Sequence, residues 1–438
     1  MRLLFRAMTT QTVPSGSLPA SRRPATPRAP GGRLPSALEH RLRTDIDGPL
    51  LAGRTGRVVL DAGPHEVATI ALEAGRLRSR AGAHRAPTTL ICGSADTLVA
   101  VVEGRQSGVG AFLEGRITVR GDLSLALALD GLFDESINGQ ERPQHWPRAS
   151  LVRARGIPTA YLESGPRDAD HAVVLLHGLG ATNASMLPLQ WDLGTDRRVI
   201  APDLPGFGAS GRPRGRYDPA WFASWLTAFL DELGVTSAVL VGNSMGGRIS
   251  LGAGLQAPER CDGLVLLAPS PAFRRMRQWI PLVRLIRPEL GAVRIRPSHR
   301  MVVEGIRGMM SDPDRLPAAW YAAAADEFLR VFSSPSGRIC FFTAMRQIYL
   351  EQAFGERGFW DRLPALTVPS LFVWGDRDRL VPAAFSRHVA AALPEAGSIV
   401  MEDCGHVAQF EHPAETAALV RGFVEAVGTG ESVAGRRR

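Results

Sequence analysis

Ser237-Ala238-Val239-Leu240-Val241-Gly242-Asn243-Ser244-Met245-Gly246-Gly247 is the stretch on which the reading of this chain turns. An apolar run enters a Gly-x-Ser-x-Gly and a helix-compatible segment leaves it. This pattern predicts a buried strand that turns abruptly into a helix, with Ser244 on the turn. Glycines flank the serine because larger side chains would collide with neighbouring backbone there. The elbow lifts the hydroxyl above the sheet edge, and the next helix offers backbone N–H groups to an oxyanion.

A serine is a weak nucleophile without a base, and the base needs a carboxylate to orient it. Both follow in the order Ser, Asp, His. Trp374-Gly375-Asp376-Arg377-Asp378 ends one apolar run, and Cys404-Gly405-His406 follows the next. The separations leave room for an insertion between nucleophile and acid, and for one strand and helix between acid and base. Upstream, His177-Gly178-Leu179-Gly180 follows the apolar run 172–176, so the N–H of Leu179 would join that of Met245 as an oxyanion donor. His177 reads as a turn residue of that loop rather than as the base. Asp203-Leu204-Pro205-Gly206-Phe207-Gly208-Ala209-Ser210 completes the set. It overlaps a G-x-G-x-x-G at Gly206, Gly208 and Gly211, but Arg212-Pro213-Arg214-Gly215 follows where a dinucleotide site needs a helix.

Working outward, buried-looking strands at 172–176, 198–201, 238–241, 263–267, 370–374 and 398–401 alternate with helical segments. The expected fold class is α/β, with a mostly parallel, doubly wound sheet. Between 271 and 361 the alternation stops, and a helical stretch rich in Arg, Met, Trp and Phe reads as a cap over that sheet.

The 438 residues allow two or three domains, and 45% hydrophobic with 21% charged residues is a globular balance. No apolar window is long enough to span a membrane. Cys92, Cys261, Cys340 and Cys404 lack C-x-x-C spacing, so neither a zinc site nor a disulfide framework is expected, and a reducing cytoplasm suits them. The net charge is +8, but residues 1–33 hold six arginines without an acid, and the chain ends in Arg436, Arg437 and Arg438. The body is close to neutral, which argues against nucleic acid as a partner. Residues 1–33 and 429–438 read as disordered tails, the first Arg-rich and acid-poor like a transit peptide; it lacks the apolar region of a secretion signal.

From 34 to 133, short glycine-bounded runs at 57–60, 67–72, 88–91 and 116–119 read as strands. Ser94-Ala95-Asp96 opens one helix, and 123–132 reads as a second, apolar on all sides. Residues 134–149, with Pro143 and Pro147, read as a linker.

Residues 150–428 resemble a capped α/β-hydrolase, because the five motifs above fall in that family's order. The resemblance implies Ser244 as nucleophile, His406 as base, and Asp378 rather than Asp376 as acid, since the usual form is Gly-x-x-Asp ahead of a Val-Pro such as Val381-Pro382. Epoxide hydrolases and haloalkane dehalogenases carry Asp as nucleophile, so Ser244 sets them aside. The elbow and Gly405-His406-Val407-Ala408-Gln409-Phe410-Glu411-His412 look like meta-cleavage-product hydrolases, which split carbon–carbon bonds. Those enzymes usually have Gly-Pro-Gly in the oxyanion loop and Trp after the histidine, where this chain has Gly180-Ala181-Thr182 and Val407. Monoacylglycerol-lipase-like hydrolases make neither demand.

Gly104-Arg105-Gln106-Ser107 and Gly115-Arg116-Ile117-Thr118-Val119-Arg120-Gly121-Asp122-Leu123, with the apolar helix after them, resemble a sterol-carrier-protein-2 domain over about 38–133. That implies a five-stranded α+β domain and a sterol or fatty acyl ligand. A helix that plugs its own core would look the same.

The expectation is a cytoplasmic serine hydrolase of a lipophilic ester that needs neither metal nor organic cofactor. The alternatives are a carbon–carbon hydrolase and a non-catalytic lipid-binding protein. In the cap, Met276, Trp279, Val283 and Ile286 repeat at helical spacing opposite Arg277, Arg284 and Arg287. This stripe reads either as a contact with an anionic membrane or as a helix packed over the pocket with solvated arginines.

Overall fold

The computed structural model describes residues 32–42, 54–73, 76–132, 142–272 and 280–429. Most of both tails, linker residues 134–141, and Met276, Arg277 and Trp279 lie outside the described residues.

The N-terminal part is a five-stranded sheet with helices on it. Its strands are β1 (Gly56–Asp61), β2 (Val67–Glu73), β3 (Arg76–Ala81), β4 (Thr89–Gly93) and β5 (Ile117–Gly121), in the spatial order β3-β2-β1-β4-β5. Its helices are α1 (Arg33–Arg41), α2 (Ala95–Val102), α3 (Gly108–Leu113) and α4 (Leu123–Leu132). Ser94 caps α2 by accepting from the Thr97 N–H, as Ser94-Ala95-Asp96 suggested. Strand β3, Arg-Leu-Arg-Ser-Arg-Ala, has no apolar run to announce it and forms because β2 offers an unpaired edge to its backbone. Its arginines keep a further strand from adding there.

The second sheet has eight strands: β6 (Arg148–Ala154), β7 (Ile157–Ser164), β8 (His171–Leu176), β9 (Val199–Pro202), β10 (Ser237–Asn243), β11 (Cys261–Leu267), β12 (Ser370–Gly375) and β13 (Gly397–Met401). The order is β13-β12-β11-β10-β8-β9-β7-β6; β7 pairs antiparallel with both of its neighbours, β6 and β9, and the remaining pairs are parallel. All seven residues of β10 are buried, as a central strand covered on both faces requires. Strand β6 begins inside the stretch read as a linker. After β8 the chain runs to β9 on one side and returns to β10 on the other, which opens a crevice at the carboxyl ends of β8 and β10.

The helices of this part are α5 (Leu187–Leu193), α6 (Pro219–Glu232) and α7 (Met245–Gln256), then α8 (Ile280–Leu285), α9 (His299–Arg307), α10 (Ala318–Ser333), α11 (Pro335–Tyr349) and α12 (Phe359–Arg362) of the cap, and finally α13 (Ser386–Ala392), α14 (Ala408–Glu411) and α15 (Pro413–Thr429). Among the described residues no helix is long and apolar enough to cross a membrane. In the cap, Val283 is buried in a cluster with Phe332, Phe342 and Met345, and Ile286 packs on it. The described half of the apolar stripe therefore faces protein.

The two sheets share buried surface. Phe112 of α3 stacks on Trp320 of α10 at 5.8 Å, and Trp320 meets Phe410 of α14 edge-on at 5.5 Å. Asp326 of α10 accepts from Arg120 Nε at 2.6 Å and from the Gly121 N–H at 2.9 Å. With Arg120 half exposed this ion pair contributes about 1 kcal/mol at most, so the aromatic contacts dominate. An apolar cavity of about 50 Å³ in the N-terminal part is lined by Leu60, Ile91, Phe112, Val119 and Leu127, and by Leu187 of α5.

Candidate active site

Strand β10 ends at Asn243 and α7 begins at Met245, so Ser244 alone makes the turn, with φ 54° and ψ −110°. L-residues avoid such a conformation, and it persists only where the surroundings enforce it. Here they do, because α7 lies so close to β8 that a Cβ at Gly246 would fall 2.1 Å from the Leu176 carbonyl oxygen. The Ser244 hydroxyl lies 3.3 Å from that of Ser270, just beyond β11.

His406 Nδ1 is 2.7 Å from Asp378 Oδ2, and the Asp378 side chain is fully buried. Asp378 Oδ1 accepts from the N–H groups of Leu380 and Val381 at 2.7 and 2.9 Å. These bonds fix the carboxylate and leave its other oxygen to the imidazole, whose Nε2 is then the basic atom. Asp376 is turned away and accepts from the Cys404 N–H. Asn243 donates from Nδ2 to the carbonyls of Leu267 and His406 at 3.2 and 3.1 Å. The structure thus brings His406 to Asp378, and it binds the histidine's backbone to the residue before Ser244.

The loop after β8 lies over the elbow: a Cβ at Gly178 would be 3.5 Å from the Ser244 Cβ. Among the described residues the N–H groups of Leu179 and Met245 donate to no acceptor. His177 is completely buried and its Nε2 accepts from the Leu204 N–H at 3.0 Å, so Nδ1 carries the proton toward the Gly178 carbonyl. Burial pushes its pKa down to about 4, and the ring stays neutral as a brace. Asp203 accepts from the N–H groups of Asn183 and Ala209, and burial raises its pKa to about 6. Together these two residues fasten the 203–210 loop to the loop carrying Leu179. The Gly206-to-Gly211 stretch opens no helix. The nearby Cys404 thiol is pushed up to about 12, chiefly by burial, so it stays protonated.

Several neighbours of the site escaped the sequence reading. Ser270 could have been suspected as a polar residue beyond the carboxyl end of a strand next to the elbow strand. Phe328 of α10 and Phe341 of α11 lie over the loop after β8, where a Cβ at Gly180 would be 3.1 and 3.0 Å from their rings. No local signal announces them. Glu411, on the helix after His406, accepts from the Gly405 N–H at 3.0 Å and from the cap's Ser311 N–H at 2.6 Å, and so ties the cap to the histidine loop.

Residues 171–413 match the family described as alpha/beta hydrolase fold, and residues 38–134 match the SCP-2 sterol transfer family. The chain is 29% identical over 287 residues to 2-hydroxymuconate semialdehyde hydrolase of Pseudomonas sp. (strain CF600), which covers 64% of this chain and 96% of that protein. Among solved structures it resembles a membrane phospholipase A described as a bacterial virulence factor, with 28% identity and TM-score 0.55 over 65% of this chain and 87% of that one. It also shares the fold of a protein from Acinetobacter baumannii AYE, with 19% identity and TM-score 0.56 over 66% of this chain and 94% of that one. With its elbow, its largely parallel sheet and more than half its length matched, the chain belongs to the alpha/beta hydrolase fold family.

Proposed function

We propose that this protein is a serine hydrolase that cleaves a lipophilic carboxylic ester. The observation that carries the reading is the Ser244 turn at φ 54°, joined through Asn243 to a histidine already held by a buried aspartate. Ser244 attacks the ester carbonyl while His406 Nε2 takes its proton, and Asp378 holds the imidazole and stabilises its charge. The N–H groups of Leu179 and Met245 receive the tetrahedral oxyanion. His406 returns the proton to the departing alcohol, and water activated by the same base releases the acid. The aromatic wall of Phe328 and Phe341 over the oxyanion loop favours an apolar substrate. In the N-terminal part, the apolar cavity would take a sterol or fatty acyl chain once its walls part, since about 50 Å³ is room for a few waters.

A second reading, carbon–carbon cleavage of a ring-fission product, is supported by the likeness to 2-hydroxymuconate semialdehyde hydrolase. A ladder of p-nitrophenyl esters from acetate to palmitate, assayed beside a chromogenic ring-fission substrate, separates the two. We expect ester turnover that rises with chain length, and a loss of at least about a thousandfold in Ser244→Ala. Full activity in Ser244→Ala overturns the assignment; turnover of the ring-fission substrate alone moves it to the second reading.

A further inference from the structure

We infer that the outer face of the cap, along residues 284–294 and Ile339, is a docking surface for an anionic lipid bilayer. Large apolar side chains that stand out from the described surface are few, and four of them gather here: Leu285 is 74% exposed, Val293 58%, Leu290 45% and Ile339 36%. The segment that carries the first three lies along α11. Arg346 donates to the carbonyls of Val283, Arg284 and Ile286, and Arg338 donates to that of Gly291, against which Ile339 packs. Positions 339 and 346 are two helical turns apart on one face of α11, about 10 Å along the axis, so the segment forms one ridge. Its inward side chains, Val283 and Ile286, are already used by the cap cluster.

Charge selects the occupant. Arg284, Arg287 and Arg294 are exposed on the ridge and form no ion pair among the described residues, while Glu289 is the one acid from 280 to 300. Two copies meeting through this face would set arginine against arginine. Residues 1–31, with five arginines and no acid, would be repelled in the same way. A bilayer of acidic lipids offers phosphate to the arginines and hydrocarbon to the leucines between them. Phe341, two residues from Ile339 on the same helix, lies against Gly180 in the oxyanion loop. A docked cap would therefore stand between the lipid surface and the catalytic crevice. That the ester substrate is drawn from the bilayer rests on the esterase reading; the docking does not.

The test is co-sedimentation of the full chain with vesicles of phosphatidylglycerol and phosphatidylcholine in equal parts, and of phosphatidylcholine alone, at about 0.1 M salt. Wild type should sediment with the acidic vesicles only. Each arginine near such a surface is worth about fivefold, so Arg284→Gln/Arg287→Gln/Arg294→Gln should bind at least about tenfold more weakly, as should Leu285→Ser/Val293→Ser. Thermal melts of both variants should match wild type. Failure of wild type to sediment overturns the inference, as does sedimentation of both variants at the wild-type level, which would leave the N-terminal arginines as the anchor. A drop in oligomeric mass by light scattering in the variants also overturns it, because the face would then join copies of the chain. Vesicle binding without Ser244-dependent turnover would remove the esterase reading and leave the docking in place.

Discussion

Asn243 donates its side-chain amide to the main-chain carbonyl of His406 at 3.1 Å, so the residue before the elbow serine is bonded to the histidine across two loops. A second bond to the Leu267 carbonyl fixes the amide to the neighbouring strand. Asn243→Ala removes both, and a buried carbonyl without a donor costs roughly 1–3 kcal/mol. We expect a lower melting temperature together with a roughly tenfold or greater fall in kcat and little change in KM, because misplacing the base weakens the transition state. An unchanged kcat in a destabilised variant would reduce Asn243 to a structural role.

The two aspartates after β12 give a direct contrast. Asp378→Asn should lower kcat by about ten-thousandfold, since an amide in that place favours the wrong imidazole tautomer. Asp376→Asn, whose amide oxygen can still accept from the Cys404 N–H, should stay within about threefold. Parallel assays of the two variants on one soluble ester decide which carboxylate serves the histidine.

Gly180 tests the cap's hold on the loop after β8 that carries Leu179. Its φ is +76°, and an added Cβ would press on the Phe328 and Phe341 rings. Gly180→Val should cost about 1–2 kcal/mol in backbone strain and about 1–3 kcal/mol in overpacking. Denaturant unfolding should show this loss, and kcat should fall because the Leu179 N–H moves with its neighbour.

Filling the N-terminal cavity should separate ligand binding from catalysis. Leu127→Trp brings a larger side chain into the space enclosed by Val119, Phe112 and Leu187. A fluorescent fatty acid titrated into the full chain should bind at least about tenfold more weakly to this variant, by the loss of apolar area it would bury. Turnover of a short soluble ester should persist. Equal binding by both proteins would place the ligand elsewhere.

Acid should act on the fold through His177. Its pKa is about 4 in the folded chain against an ordinary 6.5, so between these values the unfolded chain binds more protons and stability is lost as pH falls. The full contribution, about 3 kcal/mol, is present above pH 6.5. Asp203, raised to about 6, works oppositely: it favours the folded state as pH falls from 6 toward 3.8. The two nearly offset each other between pH 4 and 6. His177→Gln, whose carbonyl oxygen can still accept from the Leu204 N–H, should remove the histidine's contribution alone. Unfolding free energies at pH 7 and pH 4.5 should show the variant gaining on wild type in acid; a pH-independent difference would refute the account.

The elbow, the order of the catalytic candidates and most strands of the larger sheet were legible in the chain, because each rests on short-range chemistry. A buried strand writes itself as an apolar run, and the turn at Ser244 needs small neighbours within a few residues. The α2 cap at Ser94 was legible for the same reason. Strands β3 and β6 were not, since each is an edge strand whose Arg-rich sequence pairs only because a partner presents open backbone. The carboxylate that meets His406 was suggested by family pattern and decided by the turn that gives Asp378 two backbone donors and turns Asp376 outward. Val283 and Ile286 show the limit most plainly. Their spacing says that one face of the segment is covered, but only the positions of Phe332, Phe342 and Met345, some fifty or more residues away, decide that protein covers it and that Leu285, Leu290 and Val293 face outward. Leu187 completing the wall of the N-terminal cavity is a further long-range result, because periodicity records how a side chain is buried and only packing records against what.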